Sequence, residues 1–105
     1  MEIVRTTLFS KAALKLGASG DELAQLEAEI AANPKAGKVI PALRGVRKLR
    51  FKMKRKGKSG GGRCIYLVLT INDTVYLLLA YDKSVQSDLS AAQRKVILAL
   101  VEELT

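Results

Sequence analysis

The chain has 105 residues, 49% of them hydrophobic and 5% aromatic, and a net charge of +8. This length predicts one domain, 1–105, with a single aliphatic core. The chain has no histidine and one cysteine, which excludes Ser-His-Asp and Cys-His catalysis, histidine-containing zinc sites and an intrachain disulfide. We expect no metal, no cofactor and no membrane segment, and the cysteine usage indicates a cytoplasmic protein.

The basic residues are concentrated in one region. Between positions 30 and 72 lie twelve lysines and arginines and no acidic residue, whereas the rest of the chain has six basic and ten acidic residues. A basic region of this kind is the electrostatic footprint expected of a nucleic-acid-binding protein. The alternative is a basic surface whose only role is solubility.

The N-terminal third predicts a short strand followed by two helices. The segment 2–5 (EIVR) has strand character, and apolar residues at helical spacing run from a threonine cap to residue 16. A glycine then ends the first helix. Ser19 and Glu22 have the spacing of a capping box, and they begin a second helix that runs from about 20 to 32.

Three strands and a last helix follow a loop at 34–45. The strands are predicted at Val46–Lys54, Arg63–Ile71 and Thr74–Tyr81, and the helix at Ala91–Leu104. The second and third strands are apolar on both faces, so they are expected to be central and covered on both sides. The order β-α-α-β-β-β-α predicts an α+β fold in which helices pack on a single antiparallel sheet.

The first of these three strands has one apolar face and one basic face. Strand side chains alternate between faces, so Leu49, Phe51 and Met53 can enter the core. The opposite face is a row of four cations, each about 6.6 Å from the next: Lys48, Arg50, Lys52 and Lys54. Such a row on a rigid sheet suits the phosphate backbone of a nucleic acid. The candidate RNA-binding residues are Arg47, Lys48, Arg50, Lys56 and Lys58.

A glycine-rich turn, residues 57–62, links the basic strand to the next strand. It is not a nucleotide-binding P-loop, because position 52 is lysine where that motif requires glycine, and because a strand follows instead of a helix. Two interpretations stay open. The turn is a flexible hairpin connection, or it brings backbone N–H groups and Arg63 close to a phosphate.

Lysine, arginine and tyrosine remain as catalytic residue types, and they suffice for RNA cleavage by its own 2′-hydroxyl group. That reaction needs a base for the hydroxyl, cations for the charge that develops on the phosphate, and an acid for the leaving 5′-oxygen. A lysine among other cations has a lowered pKa, so its neutral amine becomes accessible as the base. A non-catalytic module that only binds RNA or the ribosome would use the same residues.

Three segments together resemble a known family. They are RKLRFKMKRKGKSGGGRCIY at 47–66, VYLLLAYDKSVQSDLSAAQRKVI at 75–97, and a stretch at 23–41 with the pattern LxxLExxIxxNPxxGxVIP. These segments resemble the RelE/HigB-type toxins of bacterial type II toxin–antitoxin systems. The similarity is closest to the HigB-like branch, whose members have a similar K-G-K-S-G-G-x-R run and a D-L-S segment before the last helix.

This resemblance implies the small α+β fold of the RelE-like microbial ribonuclease toxins. It implies an endoribonuclease (mRNA interferase) that cleaves messenger RNA, commonly in the ribosomal A site. It also implies a cognate antitoxin, often with a helix-turn-helix domain, that covers or displaces the active site.

The resemblance also assigns roles to individual residues. Lys52 and Lys54 match strand lysines with base and charge-stabilising roles. Arg63 matches the arginine that holds the scissile phosphate, and Lys83 falls where relatives have a second arginine or lysine. RelE-type members have a tyrosine or another polar residue near the start of the last helix, where this chain has Leu89. Two roles are open for Tyr81, which could replace that residue or belong to the core of the sheet.

Overall fold

The computed structural model describes residues 1–54 and 61–105, which form an α+β fold of one sheet and three helices. The helices are α1 (Thr7–Leu16), α2 (Gly20–Ala32) and α3 (Ala91–Leu104). The strands are β1 (Glu2–Arg5), β2 (Lys38–Val39), β3 (Arg47–Phe51), β4 (Gly62–Leu69) and β5 (Thr74–Asp82). Within these residues no helix has the length and apolar character needed to cross a membrane. The predicted RNA-binding residues Lys56 and Lys58 lie outside the described residues, as does most of the glycine-rich turn.

The helix boundaries follow from capping side chains that the sequence displays. The Ser19 hydroxyl accepts the N–H of Glu22 at 3.1 Å, and the Glu22 carboxylate accepts the N–H of Ser19 at 2.8 Å. This is the predicted capping box, and Ser90 and Gln93 form a second one at the start of α3. Gly17 ends α1 at a φ of 76°, a left-handed conformation that glycine adopts at low cost. The predicted bounds of α2 and α3 are therefore confirmed.

The α+β class with a single sheet is confirmed, and the strand order is β1-β5-β4-β3-β2. Strands β3, β4 and β5 form the expected antiparallel meander, with β4 and β5 in central positions. The sheet is mixed rather than wholly antiparallel, because β1 pairs with β5 in parallel. Most of the chain lies between these two strands, so no tight turn imposes an antiparallel arrangement on them.

The basic strand differs from its prediction in two ways. β3 ends at Phe51, short of the expected end at Lys54. The segment expected to be a loop contains β2, which pairs with only two residues of β3, Arg47 and Lys48. Beyond Lys48, the outer edge of β3 therefore has no paired strand in the described part of the chain.

The central strands are covered on both faces, as predicted. Cys64 and Tyr66 of β4 pack in one apolar cluster with residues of α1 and α2, whereas Ile65 and Leu67 pack in a second cluster with residues of α3. Burial raises the pKa of the Cys64 thiol, so Cys64 is a structural residue with little thiolate character. Apolar burial thus leaves the ends of the central strands and the two edges of the sheet for charged side chains.

Two side chains hold the loop after α2 on the sheet. The buried Tyr66 hydroxyl donates to the Pro34 carbonyl at 2.8 Å and accepts the Gly37 N–H at 2.8 Å. Nη1 of Arg47 donates to the Gly37 carbonyl at 2.7 Å. Buried polar groups are stabilised by such hydrogen bonds. The hydrogen bonds of Tyr66 and Arg47 therefore fix the path of the chain into β2 and the position of Lys38.

Gly37→Ala tests this attachment. A Cβ at Gly37 would lie 2.7 Å from the Tyr66 hydroxyl and 2.9 Å from the Lys48 carbonyl. We expect the variant to lose about 1–3 kcal/mol of unfolding free energy through overpacking, measured by thermal or urea unfolding. The control is Gly20→Ala, where a Cβ meets nothing within 4 Å and stability should be unchanged or slightly higher. Equal stability of both variants would contradict the close packing at Gly37.

Candidate nucleic-acid interface

Three polar side chains form a row across the sheet. In the strand register Arg50 of β3 lies opposite Arg63 of β4, and Arg63 lies opposite Tyr81 of β5. Residues directly opposite each other in an antiparallel pair share a face of the sheet. The row lies on the α3 face, because Tyr81 belongs to the apolar cluster that α3 covers. Strand pairing therefore brings two arginines together that the glycine-rich turn separates in the sequence.

A groove of about 390 Å³ opens beside this row. We call it the Arg63 groove. The loop after α2, strands β3 and β4 and the segment between β5 and α3 all contribute to its lining. Five of its described lining residues are basic and none is acidic; the basic ones are Lys38, Lys48, Arg50, Arg63 and Lys83. Cations that line a concave surface concentrate a positive potential on a bound anion.

Arg63 is the most buried cation of this groove. Only 8% of the residue is exposed, and its Nη1 donates to the Gly62 carbonyl at 3.0 Å. It lies within β4 and not in the turn. A guanidinium group held in this way has a fixed orientation, so little conformational freedom is lost when it binds a phosphate through two parallel N–H groups.

Backbone hydrogen bonds at the end of β5 position Lys83. Its N–H donates to the Gly61 carbonyl at 2.8 Å, just before β4 begins, and its side chain is exposed. Oδ1 of Asp82 accepts the N–H and the hydroxyl of Ser84 at 2.9 and 2.7 Å. An Asx turn of this kind stabilises a chain reversal, and here it keeps Lys83 on the wall of the Arg63 groove.

An acidic residue, Asp88, lies at the rim of the Arg63 groove. Its Oδ1 is 3.9 Å from Nζ of Lys48, and its Oδ2 is 3.5 Å from Nη2 of Arg94. These side chains are partly exposed, so the ion pairs contribute little to stability. Sequence reasoning missed Asp88 and Arg94, because Asp88 lies in the segment before α3 and links Lys48 of β3 to Arg94 of α3. It also missed Lys38. The signal that could have indicated this residue is its position in the acid-free stretch between residues 30 and 72.

Tyr81 and Leu89 lie in the core beneath α3. Tyr81 is 3% exposed and Leu89 is 7% exposed, and both belong to the cluster that α3 covers. Burial raises the pKa of the Tyr81 phenol, and Asp88 raises it further, against the opposing effects of Arg63 and Arg94. The phenol is therefore protonated at neutral pH. Of the two roles considered for Tyr81, burial supports the core role.

The predicted row of four cations is divided between two surfaces. Lys48 and Arg50 line the Arg63 groove. Lys52 and Lys54 follow the end of β3 and line grooves beside α2. Arg50 lines one of those grooves as well. It therefore connects the two surfaces.

Arg47, also predicted to bind RNA, has its described contacts elsewhere. Its Nη1 donates to the carbonyls of Gly37 at 2.7 Å and Lys35 at 3.4 Å. It is opposite Tyr66 in the strand register, on the face that α1 and α2 cover. Its described hydrogen bonds are structural, and an RNA contact of Arg47 stays a prediction.

Glu22 attaches the segment after β3 to α2. Its Oε2 accepts the N–H of Lys54 at 2.6 Å, while its Oε1 accepts the N–H of Ser19 at 2.8 Å. These two hydrogen bonds, the one from Ser19 first, lower the pKa of Glu22 below its ordinary value of 4.5. One carboxylate therefore caps α2 and holds the chain that carries Lys52 and Lys54.

Comparison with known proteins identifies the fold. The described residues form a single-sheet α+β domain with a basic groove at the end of its central strands. The structure is similar to that of a mutant of the Escherichia coli toxin RelE in the free state, with a TM-score of 0.55 over 99% of this chain and 97% of that chain. The two sequences are 14% identical, and no protein-family model matches the chain. The chain therefore has a RelE-like fold, as the sequence resemblance implied.

Glu22→Gln should make stability less dependent on pH. The folded state lowers the pKa of Glu22 below its ordinary value of 4.5, so the carboxylate stabilises the fold fully above that ordinary, unfolded value. This contribution is lost as the pH falls through the lower, folded value. Urea unfolding should therefore show a difference between the native chain and the variant at pH 7 that shrinks below about pH 4.

The control for this measurement is Ser90→Ala. It removes the capping hydroxyl of α3, at a cost of about 0.5–2 kcal/mol, but the capping-box partner of Ser90 is Gln93, which has no charge to titrate. Its difference from the native chain should stay the same at both pH values. A pH-independent difference for Glu22→Gln as well would show that the carboxylate does not have the proposed role.

Proposed function

We propose that this chain is the toxin of a type II toxin–antitoxin system and an endoribonuclease that cleaves messenger RNA. The observation that carries the proposal is the Arg63 groove, in which four other cations accompany the buried Arg63 on a RelE-like fold. Its concave, acid-free lining suits a phosphodiester with negative charge. The sequence segments at 47–66 and 75–97 support an assignment to the HigB-like branch.

The proposed reaction uses the RNA as its own nucleophile. A base removes the proton of a 2′-hydroxyl group, and the resulting oxygen attacks the adjacent phosphorus. The bond to the 5′-oxygen breaks, and that oxygen takes up a proton from an acid. The products are a 2′,3′-cyclic phosphate and a 5′-hydroxyl end. The protein supplies the proton transfers and the positive charge on the phosphate, and the reaction needs neither a metal nor a cofactor.

We assign the phosphate to Arg63, because its guanidinium is held in place and can donate two parallel hydrogen bonds. Lys83 lies beside it in the groove and would neutralise the developing charge. Lys52 and Lys54 keep the base and charge-stabilising roles that the resemblance gives them. The position of Arg50 supports these roles, because Arg50 lines both the Arg63 groove and the groove that contains Lys52 and so connects the two surfaces.

The proposed partners follow from the substrate. Messenger RNA in the ribosomal A site would enter the Arg63 groove, and the ribosome would present the RNA to the protein. This reaction would take place in the cytoplasm. The cognate antitoxin, with a helix-turn-helix domain, would cover or displace the same basic surface. A surface that binds phosphates also attracts an acidic protein segment, so RNA and antitoxin would compete for it.

One observation favours a second candidate, a non-catalytic module that binds RNA or the ribosome. The lysines proposed as the base, Lys52 and Lys54, line grooves beside α2, whereas Arg63 lines the other surface. A binding module needs no lysine close to the phosphate-holding arginine. Mapping the ends of RNA after incubation with the protein separates the two candidates.

Arg63→Lys should reduce RNA cleavage by about a hundredfold or more. Lysine keeps the positive charge but has no planar pair of N–H groups for bidentate binding of the phosphate. The measurement is 5′-end mapping of an mRNA on programmed ribosomes, with the same RNA free of ribosomes alongside. Arg44→Lys is the matched control, because Arg44 is exposed in the loop before β3. This variant should cleave RNA at the same rate as the native chain.

Thermal unfolding of both variants must accompany this assay, because Arg63 is buried. New ends at codon-phased positions that vanish with folded Arg63→Lys support a ribosome-dependent nuclease. Ends on free RNA as well support the nuclease and remove the ribosome requirement. Intact RNA with folded native protein, free of antitoxin, refutes the nuclease and leaves the binding module.

The salt dependence of binding tests the groove independently of cleavage. About four phosphate contacts to single-stranded RNA predict a slope near −3 in a plot of log affinity against log salt concentration. Lys48→Ala should reduce the magnitude of this slope by about 0.7. Lys95→Ala, on the exposed surface of α3, is the control and should leave the slope unchanged. RNA with 2′-O-methyl groups serves as the probe, because it has no free nucleophile. Identical slopes for the two variants would show that Lys48 does not contact phosphate.

A further inference from the structure

A second groove lies on the other side of Arg50, between α2 and the end of β3. Its volume is about 500 Å³. The floor contains Leu26 and Phe51, which are 1% and 4% exposed and belong to the apolar core. We call it the α2 groove. It lies on the opposite face of the sheet from the Arg63 groove, and the two grooves meet at the outer edge of β3, where Arg50 lines both.

The walls of the α2 groove have opposite charges. One wall is a stripe of α2 in which Glu22, Gln25 and Glu29 follow each other at helical spacing, and the other wall has Arg50 and Lys52. Within residues 1–54 and 61–105 no ion pair joins the two walls. The groove therefore has separate sets of hydrogen-bond acceptors and cations.

Two of the three polar side chains on the α2 wall have no hydrogen-bond or ion-pair partner among the described residues. Glu22 is engaged by the N–H groups of Ser19 and Lys54. The side chains of Gln25 and Glu29 are exposed and make no hydrogen bond or ion pair with the described residues. They can offer their oxygens to a ligand in the groove.

A ligand for this groove must combine a negative group with hydrogen-bond donors. A row of phosphates alone does not fit, because Glu22 and Glu29 would repel it. An acidic peptide is disfavoured for the same reason. A nucleotide fits both walls: its phosphate can contact Arg50 or Lys52, and the edge of its base can contact the α2 stripe.

We propose that the α2 groove binds the base of a nucleotide next to the one in the Arg63 groove and prefers a base with an exocyclic amino group. Glu29 accepts a hydrogen bond from that amino group. Uracil presents a carbonyl oxygen at the same place, which the carboxylate repels. The proposal rests on the RNA substrate of the proposed function, and it adds a determinant of sequence preference.

The comparison of cytosine with uracil tests this contact, because cytosine has an amino group at ring position 4 where uracil has a carbonyl oxygen. The neighbouring N3 also differs, since it accepts a hydrogen bond in cytosine and donates one in uracil. The experiment measures the affinity of the full chain for 2′-O-methyl oligocytidine and oligouridine of equal length. The native chain should bind oligocytidine about fivefold more tightly. Glu29→Gln should reduce this ratio to about one, because an amide can accept from cytosine and donate to uracil equally well.

The control is Glu103→Gln, which makes the same change of charge on the exposed last turn of α3. Both variants should bind RNA somewhat more tightly than the native chain, because each has lost a negative charge, but Glu103→Gln should keep the native ratio. An equal ratio for all three proteins would overturn the proposal, as would a native ratio near one.

This result is independent of the cleavage experiment, because 2′-O-methyl RNA cannot be cut. If the native chain shows the expected binding ratio but leaves unmodified RNA intact, base recognition by the α2 groove is supported and the proposed nuclease activity is refuted. A chain that cuts RNA but binds both oligomers equally would keep the nuclease and refute this role of the α2 groove.

Discussion

Strands β4 and β5 are buried on both faces, and this burial decides where charged side chains can lie. Helices α1 and α2 cover one face and α3 covers the other, so a charged side chain in the middle of these strands would be desolvated at high cost. Arg63 is tolerated because it lies at the start of β4 beside a groove. The other described cations lie on the outer strands, on the helices and in the loops. The basic surface therefore forms at one end of the sheet because the apolar faces exclude it elsewhere.

The groups that shape the basic surface are mostly neutral or acidic. Tyr66 holds the loop that precedes β2, Asp82 organises the turn after β5, and Glu22 attaches the chain after β3 to α2. Each satisfies backbone N–H groups that would otherwise need water. Lys38 and Lys83 are thus positioned through their backbones, which leaves their side chains exposed toward a ligand.

Acidic side chains divide the basic region into surfaces with different chemistry. The Arg63 groove has only cations among its described charged lining residues, and Asp88 stands at its rim. The α2 groove has carboxylates on one wall and cations on the other. A net charge of +8 describes neither surface. The first has the electrostatics for a phosphate, and the second has those for the edge of a base.

The class of fold, the helix ends and the central strands could be predicted from the amino-acid sequence, because capping residues and apolar periodicity are local patterns. The sequence also indicated Arg63 and the basic strand. Three arrangements became visible only in the folded chain: β1 is parallel to β5, Lys52 and Lys54 leave the row that begins with Lys48, and Asp88 meets Lys48. These arrangements depend on contacts between elements distant in the chain, and no local pattern specifies which elements will meet or where a strand will lose its partner.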